Sequence, residues 1–380
     1  MKKIGILTIN DYTNYGNRLQ NYASQEVLNA LGFQVETIIN TTMHLESNNE
    51  GTFKLQRLNK LRNYSAIELI NKMKFKIFSL RNSKKIIIAK KEKRKNFIEF
   101  TKHNIKETKY TISDNNIPND LTVEYDFFVT GSDQVWNPNF ERFSGVDFLS
   151  FAPKYKRIAY APSFGISELP TENKKLYKEW LSEMSSVSVR EQAGAKIIKE
   201  LTGRDAEVLI DPTLMLTKEQ WLSIAMESEF KPKKKYILTY FLGNQTSENR
   251  KSIKRIAQIN DLDIVNLADI YDIKRYTADP SEFIDYINSA SLVLTDSFHG
   301  AVFSTLLKTP FVVYNREGSL PSMNSRIDTL TSKFKLESRK AENIEKNEQI
   351  LNADYSHVDE ILQFEREKAL IYLKNALDVK

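Results

Sequence analysis

One stretch of this 380-residue chain decides its fold: Ser291-Leu-Val-Leu-Thr-Asp296-Ser-Phe-His299-Gly-Ala-Val-Phe303. Its apolar start predicts a short buried strand, and an Asp-Ser-Phe-His-Gly turn then leads at once into an apolar helix. Open α/β sheets bind their ligands where the carboxyl end of a strand meets the amino end of a helix. The helix start offers N–H groups to an anion, and the imidazole of His299 can transfer a proton near neutral pH. The turn is therefore the first candidate for a functional site.

The same alternation of strands and helices runs through most of the sequence. One predicted helix, for example, extends from Asn17 to Leu31 and is closed by Gly32. Such alternation is typical of parallel sheets covered by helices. We therefore expect an α/β fold with two Rossmann-like domains and a deep cleft between them. The predicted strands are Lys3–Ile9, Phe33–Ile39, Tyr125–Thr130, Arg157–Ala161, Ser186–Val189, Tyr236–Leu242, Asp263–Leu267, Leu292–Thr295 and Phe311–Val313.

The predicted domain boundary lies near residues 162–171. Residues 1–165 form the first Rossmann-like domain, which carries a basic helical insertion at about 50–110. Residues 166–350 form the second, which we expect to bind the donor substrate. Residues 351–380 contain a last predicted helix, Val358–Ala376, which we expect to pack back across the two domains.

The composition limits the class of protein. Charged residues make up 27% and apolar residues 41%, as in water-soluble globular proteins, and no apolar run is long enough to predict a membrane-spanning helix. The apolar run after Met1 is too short for a signal peptide and is better explained by a first strand. The absence of cysteine excludes disulfides and thiolate metal ligands, and the four histidines lack ligand spacing. We expect a cytoplasmic protein without a bound metal.

Positive charge is concentrated in the segment from Lys54 to Lys109. It contains 18 Lys/Arg and 4 Asp/Glu residues, a net charge of +14, which leaves −8 for the remainder. Apolar residues recur there at helical spacing, so the segment predicts two or three basic helices. One explanation is a solvated face on an inserted helical hairpin. The other is contact with an anionic membrane surface, at the inner face of the membrane, or with a lipid-phosphate substrate; nucleic acid is disfavoured because no known nucleic-acid module is recognisable.

The first predicted strand ends in a polar turn that contains Asn14, Gly16 and Asn17. The turn has a single glycine, so it is not the glycine-rich fingerprint of a dinucleotide site. Its residues suit a tight turn that presents backbone N–H and amide groups to a polar ligand. Asn17 also fits the simpler role of a helix cap.

A second polar turn begins at Gly131, directly after an apolar strand. The glycine lets a ligand approach the backbone, and Ser132 extends the polar surface. Asp133 and Gln134 are suited to binding sugar hydroxyls. Trp136 can either face a sugar ring or belong to the core, and the sequence does not decide between these two.

Two further strand ends carry charged residues. Arg190 follows the strand Ser186–Val189 and could hold a carboxylate or a phosphate through two parallel hydrogen bonds. The alternative is a surface ion pair between Arg190 and Glu191. Asp211 is explained first by an Asp-Pro-Thr turn, and a catalytic aspartate is the weaker interpretation.

The histidine turn has two alternative explanations. His299 could be a buried core histidine that hydrogen-bonds to a carbonyl group. Asp296, Ser297 and His299 could also suggest a hydrolase triad, but the G-x-S-x-G pattern of a nucleophile elbow is absent.

Taken in order, these motifs resemble the polysaccharide pyruvyl transferase family. Each motif is weak alone, whereas the ordered set is fairly specific and spans roughly residues 3–326. The matching motifs are Asn14–Asn17, Gly131–Pro138, Ser188–Glu191, Asp211–Thr213 and Thr295–Gly300. The basic segment has no counterpart among them.

The resemblance implies a GT-B-like fold and transfer of a pyruvyl group from phosphoenolpyruvate to sugar hydroxyls of a cell-surface polysaccharide or its precursor, forming a ketal. By motif, the resemblance implies that Arg190 holds the anionic groups of the donor and that His299 is the catalytic or donor-contacting histidine. Phe298 lies beside it with its backbone towards the donor, and Ser297 and Gly300 complete the donor-binding turn.

Ketal formation needs a proton on the methylene carbon, a hydroxyl that attacks the carbon bearing the phosphate, and departure of phosphate. His299 is the candidate acid, while Asp133 or Asp296 is the base or orients His299. Arg190 and Arg326 are the candidate anion holders. The scheme needs no cofactor, and the expected partners are phosphoenolpyruvate and a saccharide or lipid-linked saccharide.

Two other functions remain open at the level of sequence. One is a metal-independent nucleotide-sugar glycosyltransferase of the same fold, which the lack of a nucleotide fingerprint disfavours. The other is a non-catalytic sugar-binding protein, which the joint presence of Arg190 and His299 disfavours.

Overall fold

The computed structural model describes residues 1–42, 78, 80–140, 142–243, 245–316, 324–344 and 347–379. The strands of this part of the chain are β1 (Lys3–Leu7), β2 (Gln34–Asn40), β3 (Glu107–Ile112), β4 (Phe127–Thr130), β5 (Arg157–Ala159), β6 (Ser186–Val189), β7 (Glu207–Val208), β8 (Tyr236–Tyr240), β9 (Asp263–Asn266), β10 (Leu292–Thr295) and β11 (Phe311–Val313). The α-helices are α1 (Tyr15–Ala30), α2 (Ser83–Asn104), α3 (Leu121–Glu124), α4 (Lys174–Ser182), α5 (Gln192–Thr202), α6 (Lys218–Ser223), α7 (Ser247–Ile259), α8 (Ile273–Tyr276), α9 (Pro280–Ser289), α10 (Phe298–Leu307), α11 (Ser325–Lys333), α12 (Asn347–Leu351) and α13 (Val358–Ala376).

The strands form two parallel sheets. The first has seven strands in the order β3-β2-β1-β4-β5-β6-β7, and the second has four in the order β11-β10-β8-β9. Because parallel neighbours need crossover connections, helices cover the sheets, and the strands are apolar on both faces. In β10, for example, all four residues are buried. The predicted α/β fold is confirmed.

The strand pairing changes sheets later in the chain than we predicted. The boundary near residues 162–171 falls between β5 and β6, yet β6 pairs with β5 in the first sheet. The strand β7 then pairs with β6, so the second sheet begins only with β8 at Tyr236. The Asp-Pro-Thr turn at Asp211 predicts the end of a strand, and β7 precedes that turn with only two residues. The division into domains itself stays a prediction.

One apolar core joins the two sheets. A single cluster of contacting buried side chains includes Ile4 of β1, Tyr15 of α1, Val293 of β10 and Leu373 of α13. The last helix, whose predicted bounds match α13, takes part directly: the Tyr372 hydroxyl donates a 2.7 Å hydrogen bond to a backbone carbonyl of β5. The two sheets are therefore held by shared packing as well as by the chain itself.

The described part of the basic segment is a long helix followed by a strand. The helix α2 spans 22 residues, and β3 then forms the edge of the first sheet. The inner face of α2 buries four residues spaced three or four apart: Ala89, Lys93, Phe97 and Phe100. The helical spacing that the sequence shows at residues 67–77 lies outside the described residues. The strand β3 was not predicted, since its polar residues alternate with few apolar ones.

Candidate active site

The carboxyl ends of five parallel strands in the two sheets, β1, β4, β8, β10 and β11, meet at one cavity of about 250 Å³. The turns that follow β1 and β4 lie on one side, and the start of α10 lies on the other. The residues that line it are Ile9, Asp11, Asn14, Asn17, Asp133, Gln134, Phe140, Leu242, Ser297, Phe298, His299, Arg316 and Arg326. Most of the polar turns found in the sequence thus converge, although they lie far apart along the chain.

His299 lies in the first turn of α10. Ser297 caps this helix, with its hydroxyl accepting a hydrogen bond from the Gly300 N–H at 3.4 Å. A side chain at Gly300 would come within 2.6 Å of Thr295 Oγ1, so the absence of one lets the helix start pack against the end of β10. The first N–H groups of a helix have no intrahelical partner and are available to an anion. Ser297 and Gly300 therefore shape the turn that presents His299.

The other wall of the imidazole is formed by Gly16 of α1. A Cβ atom on Gly16 would lie 2.0 Å from Nδ1 of His299, closer than any real contact, so only glycine fits there. The turn before it is fixed by Asn14, whose side chain accepts from the Asn17 N–H at 3.2 Å. The first strand-to-helix turn therefore sets the position of a histidine that belongs to the second sheet.

Asp211 is the centre of the charged network. Its Oδ2 atom accepts hydrogen bonds from Arg190 at 2.5 Å and from the Ser132 hydroxyl at 3.0 Å, and it lies 3.6 Å from Nε2 of His299. Its Oδ1 atom accepts from the backbone and hydroxyl of Thr213. Burial opposes ionisation of Asp211, but the nearby imidazole of His299 and the charge of Arg190 outweigh it and hold its pKa well below the usual value. Asp211 is therefore an anion at neutral pH.

Arg190 links this aspartate to Asp133. Its Nη2 atom lies 3.5 Å from Asp133 Oδ1, and Asn17 donates to Asp133 Oδ2 at 3.4 Å. Burial opposes ionisation of Asp133, but Arg190, His299 and then Arg326 outweigh it and lower its pKa. Within the described chain, Arg190 Nε and Nη2 and His299 Nε2 are buried atoms that make no hydrogen bond. Buried donors of this kind usually have a partner, so these atoms are suited to a bound ligand.

Two guanidinium groups lie against the ring of Phe298. That of Arg190 is 4.3 Å from the ring centre, and that of Arg326 is 5.7 Å away. Burial and the neighbouring Arg190 lower the pKa of Arg326 to about 10, so it still carries its charge at neutral pH. Phe298 therefore brings two positive charges together at the start of α10, as an anionic ligand would require.

The carboxylate of Asp296, which the sequence offers as the base or as a group that orients His299, makes its hydrogen bonds at the end of β8. Its two carboxylate oxygens accept the backbone N–H groups of Leu242 and Gly243 at 2.7 and 2.8 Å. Its Oδ2 atom also lies 3.4 Å from Nε of Arg316. Asp296 thus ties the end of β8 to the end of β10 and positions Arg316 at the cavity.

The turn after β4 divides between the cavity and the core. Gln134 lines the cavity, whereas Ser132 reaches Asp211 from beneath it. A Cβ atom on Gly131 would lie 2.3 Å from the backbone oxygen of Tyr160, directly after β5. The glycine therefore allows the ends of β4 and β5 to pack closely. Trp136 is fully buried, stacks on Phe148 with ring centres 5.0 Å apart, and does not line the cavity. The core explanation of Trp136 is therefore the correct one, and contact with a sugar ring is excluded by its burial.

Sequence reasoning underrated Asp211 and missed Arg316. The Asp-Pro-Thr turn was a visible signal for Asp211, but only the fold shows that His299, Arg190 and Ser132 all approach its carboxylate. For Arg316, the available signal is its place three residues after the strand β11, since Arg190 likewise follows a strand, β6. Strand ends in one sheet predict which residues can meet, whereas their orientation depends on packing.

Two larger cavities, each of about 480 Å³, lie away from this network. One lies between α2 and α8, and the other lies between α6 and α13. We assign function to the smaller cavity because the buried charged groups converge there. No group of three or more His, Cys, Asp or Glu side chains in the described ranges is arranged to hold a metal ion.

Comparisons with known proteins bear on the family and on the fold of the chain. A family model described as "Polysaccharide pyruvyl transferase" matches residues 14–318, and a search of curated proteins finds no match. A solved structure described as a UDP-N-acetylglucosamine 2-epimerase from Listeria monocytogenes aligns with a TM-score of 0.50 at 9% identity, covering 100% of this chain and 97% of the other. MnaA from S. aureus, solved with UDP, aligns with a TM-score of 0.49 at 12% identity, covering 100% and 98%. At these identities, the first likeness supports the GT-B fold alone.

Proposed function

The chain belongs to the polysaccharide pyruvyl transferase family, and on this basis we propose that it transfers a pyruvyl group from phosphoenolpyruvate to two hydroxyls of a saccharide, forming a ketal. One observation carries the proposal. Phe298, His299 and Arg326 line a cavity of about 250 Å³ at the start of α10, and the guanidinium group of Arg190 lies directly against the ring of Phe298. This arrangement matches a small ligand with a phosphate, a carboxylate and a carbon that must be protonated.

The donor is a dense anion, and the site offers it several positive groups. Arg190 and Arg326 can each bind a carboxylate or a phosphate through two parallel hydrogen bonds. The N–H groups at the start of α10 add the positive end of the helix dipole. Pockets for drug-sized ligands typically measure roughly 300–1,000 Å³, so the smaller cavity favours a three-carbon donor over a nucleotide sugar.

The chemistry then assigns His299 the acid role. Its proton goes to the methylene carbon of the donor, a saccharide hydroxyl bonds to the carbon that bears the phosphate, and the bond to the phosphate oxygen breaks. A second hydroxyl attacks the same carbon and closes the ketal ring. Of the two hydroxyl protons, one leaves with phosphate and the other restores His299. Asp211 is ionised and lies 3.6 Å from Nε2, where it can orient the imidazole.

Asp133 is the remaining candidate for handling the hydroxyl proton. It lines the cavity and stays ionised, whereas the carboxylate of Asp296 is occupied by two backbone N–H groups. A carboxylate with a low pKa is a weak base but a good hydrogen-bond acceptor. We therefore assign Asp133 to orienting the attacking hydroxyl.

The saccharide acceptor and a membrane-linked form of it follow from the family alone. Nucleotide-sugar transfer remains the alternative, because the structurally similar MnaA was solved with UDP. The second alternative is a non-catalytic sugar-binding protein. The buried hydrogen-bond donors of Arg190 and His299 disfavour it.

Ligand-dependent melting separates these functions. A ligand that binds only the native state raises the melting temperature. We expect phosphoenolpyruvate to do so and UDP-sugars to have no effect. Phosphate release in the presence of a saccharide panel then tests turnover. Stabilisation by a UDP-sugar without any by phosphoenolpyruvate would replace pyruvyl transfer by nucleotide-sugar transfer.

A further inference from the structure

The outer face of α2 carries an unusual mixture of side chains. Two large aliphatic residues are widely exposed there: Ile87 at 65% and Ile88 at 64%. Lysines recur before and after them at intervals of three, four or seven residues, which places them on the same side of the helix. We call this surface the outer stripe, and it consists of Lys84, Ile87, Ile88, Lys91, Lys95 and Lys102.

The opposite face of α2 explains why the outer stripe stays outside. Ala89, Phe97 and Phe100 are buried against the rest of the molecule, and Asn96 donates a 2.9 Å hydrogen bond to the carbonyl oxygen of Thr277. The outer stripe is therefore not part of the core. It is a second apolar surface on α2, whose inner face already packs against the rest of the molecule.

The positive charge of α2 indicates that its partner is anionic. Between Ser83 and Asn104 the sequence has eight Lys/Arg and two Asp/Glu residues, a net charge of +6. The two acidic residues, Glu92 and Glu99, form exposed ion pairs with Lys95 and Lys102 at 3.7 and 2.8 Å. Such exposed pairs hold their partners weakly and leave the lysines available.

Aliphatic and basic side chains on one helical face are typical of helices that lie in the headgroup region of an anionic bilayer. The aliphatic groups enter the acyl boundary while the lysines meet lipid phosphates, and their long stems let the charges reach outwards. A solvated face needs the lysines but not the two exposed isoleucines. No helix in the described part of the chain is long and apolar enough to cross a bilayer, so contact by α2 would be along the surface.

We propose that the outer stripe of α2 docks the protein on an anionic lipid surface. The binding involves no reaction and does not depend on pyruvyl transfer. The inner face of the same helix packs against Tyr15, the neighbour of Gly16 in α1. A lipid surface on the outer stripe therefore lies one helix away from the turn that contacts His299, which suits an acceptor that is itself attached to lipid.

Vesicle co-sedimentation of the full chain tests the proposal. The wild-type protein should pellet with phosphatidylglycerol-containing vesicles, much less with pure phosphatidylcholine vesicles, and less with either at high salt. Replacing Lys84, Lys91, Lys95 and Lys102 by Gln should lower the partition coefficient by about 100-fold or more, since each basic residue near such a surface adds roughly fivefold. The matched control replaces four exposed lysines of α4 and α5 by Gln and should pellet as the wild type: Lys174, Lys175, Lys178 and Lys196.

A second variant separates lipid from other polyanions. Ile87→Ser with Ile88→Ser keeps every charge, and it should lower vesicle binding about tenfold or more because the aliphatic insertion is lost. All variants should melt like the wild type, since the changed residues are exposed. Equal pelleting with neutral and anionic vesicles, or equal loss in the control, would overturn the proposal. Unchanged binding of the isoleucine variant would overturn the lipid surface and leave a general polyanion patch.

Discussion

Arg190 neutralises two buried carboxylates and is also the proposed donor-binding residue. A variant that tests donor binding must therefore keep its positive charge. Arg190 is fully buried and neutralises Asp211 and Asp133, so Arg190→Ala would leave buried carboxylates without a partner and cost about 3–5 kcal/mol of stability. Arg190→Lys keeps the charge but loses the two parallel bonds to an anion. We expect this variant to stay folded and to bind phosphoenolpyruvate about 10–100-fold more weakly by calorimetry, a loss of roughly 1.5–3 kcal/mol.

A matched control for Arg190 exists far from the cavity. The guanidinium group of Arg204 is held by backbone carbonyls, with Nη1 donating to Leu181 O and Met184 O at 2.8 Å each. Arg204→Lys should leave donor affinity unchanged. Wild-type affinity in a folded Arg190→Lys protein would remove Arg190 from the donor site.

His299→Gln tests proton transfer itself. Glutamine keeps a polar side chain in the first turn of α10 but cannot act as an acid, so turnover should fall by about 10²–10⁴-fold. Donor affinity should change much less, because the acid acts mainly in the transition state. Single-turnover phosphate release and a melting curve are both needed. Earlier melting with near wild-type turnover would identify His299 as a core residue.

Gly16→Ala offers a test that keeps every catalytic side chain but changes the position of His299. The added methyl would lie 2.0 Å from Nδ1 of His299 and must displace the imidazole. Alanine is a better helix former than glycine, so the start of α1 should not be weakened. We expect turnover to fall at least tenfold while the donor still binds through Arg190. A variant with wild-type turnover would show that the position of His299 is not limiting.

Among the secondary structure elements, α2 carries a buried charge that should be visible in the pH dependence of stability. Lys93 Nζ lies 4.7 Å from the ring centres of both Tyr15 and Tyr276 and 5.5 Å from that of Phe97. Burial lowers the pKa of Lys93 to about 8, and Asp11 opposes this only in part. Unfolded chains therefore bind more protons than the native state between about pH 8 and 10.5, so stability from this group rises with pH across that window.

Lys93→Met removes the buried charge while keeping an unbranched apolar stem. At pH 7 the variant should be more stable by about 1–2 kcal/mol, because the cost of burying the ammonium exceeds the lost contact with the rings. The difference from the wild type should shrink as the pH rises from 8 to 10.5, measured by urea unfolding. A constant difference across these pH values would mean that Lys93 titrates normally in the native protein.

At the scale of the whole molecule, the shared core predicts one cooperative transition. Far-UV circular dichroism and tryptophan fluorescence should report the same urea midpoint, since one buried cluster contains strands of both sheets. Tyr372→Phe should lower the stability by about 1–2 kcal/mol, because the carbonyl oxygen of Ala159 loses a buried partner. Its transition should move without splitting. Two separate transitions would show that the sheets unfold independently.

The sequence could predict the general fold because its signals are local. The run from Leu292 to Gly300 specifies a strand, a cap and a helix start within nine residues, and Asp279 forms the capping box that the Asp-Pro-Ser-Glu pattern indicates. The role of Asp211 could not be predicted, because it arises from contacts with side chains 21 to 88 residues away in the chain. Trp136 shows the same limit: a tryptophan in a polar turn fits a core or a surface, and only packing decides.

Gly16 follows a strand of the first sheet and lies directly against the imidazole of His299, which follows a strand of the second sheet. A chimera that exchanges the second sheet between relatives would inherit His299 together with its cap Ser297, but the residue at position 16 would come from a different parent. Such a chimera should be active only when that residue is glycine. Family members with a larger residue there would have to carry their proton donor in another place.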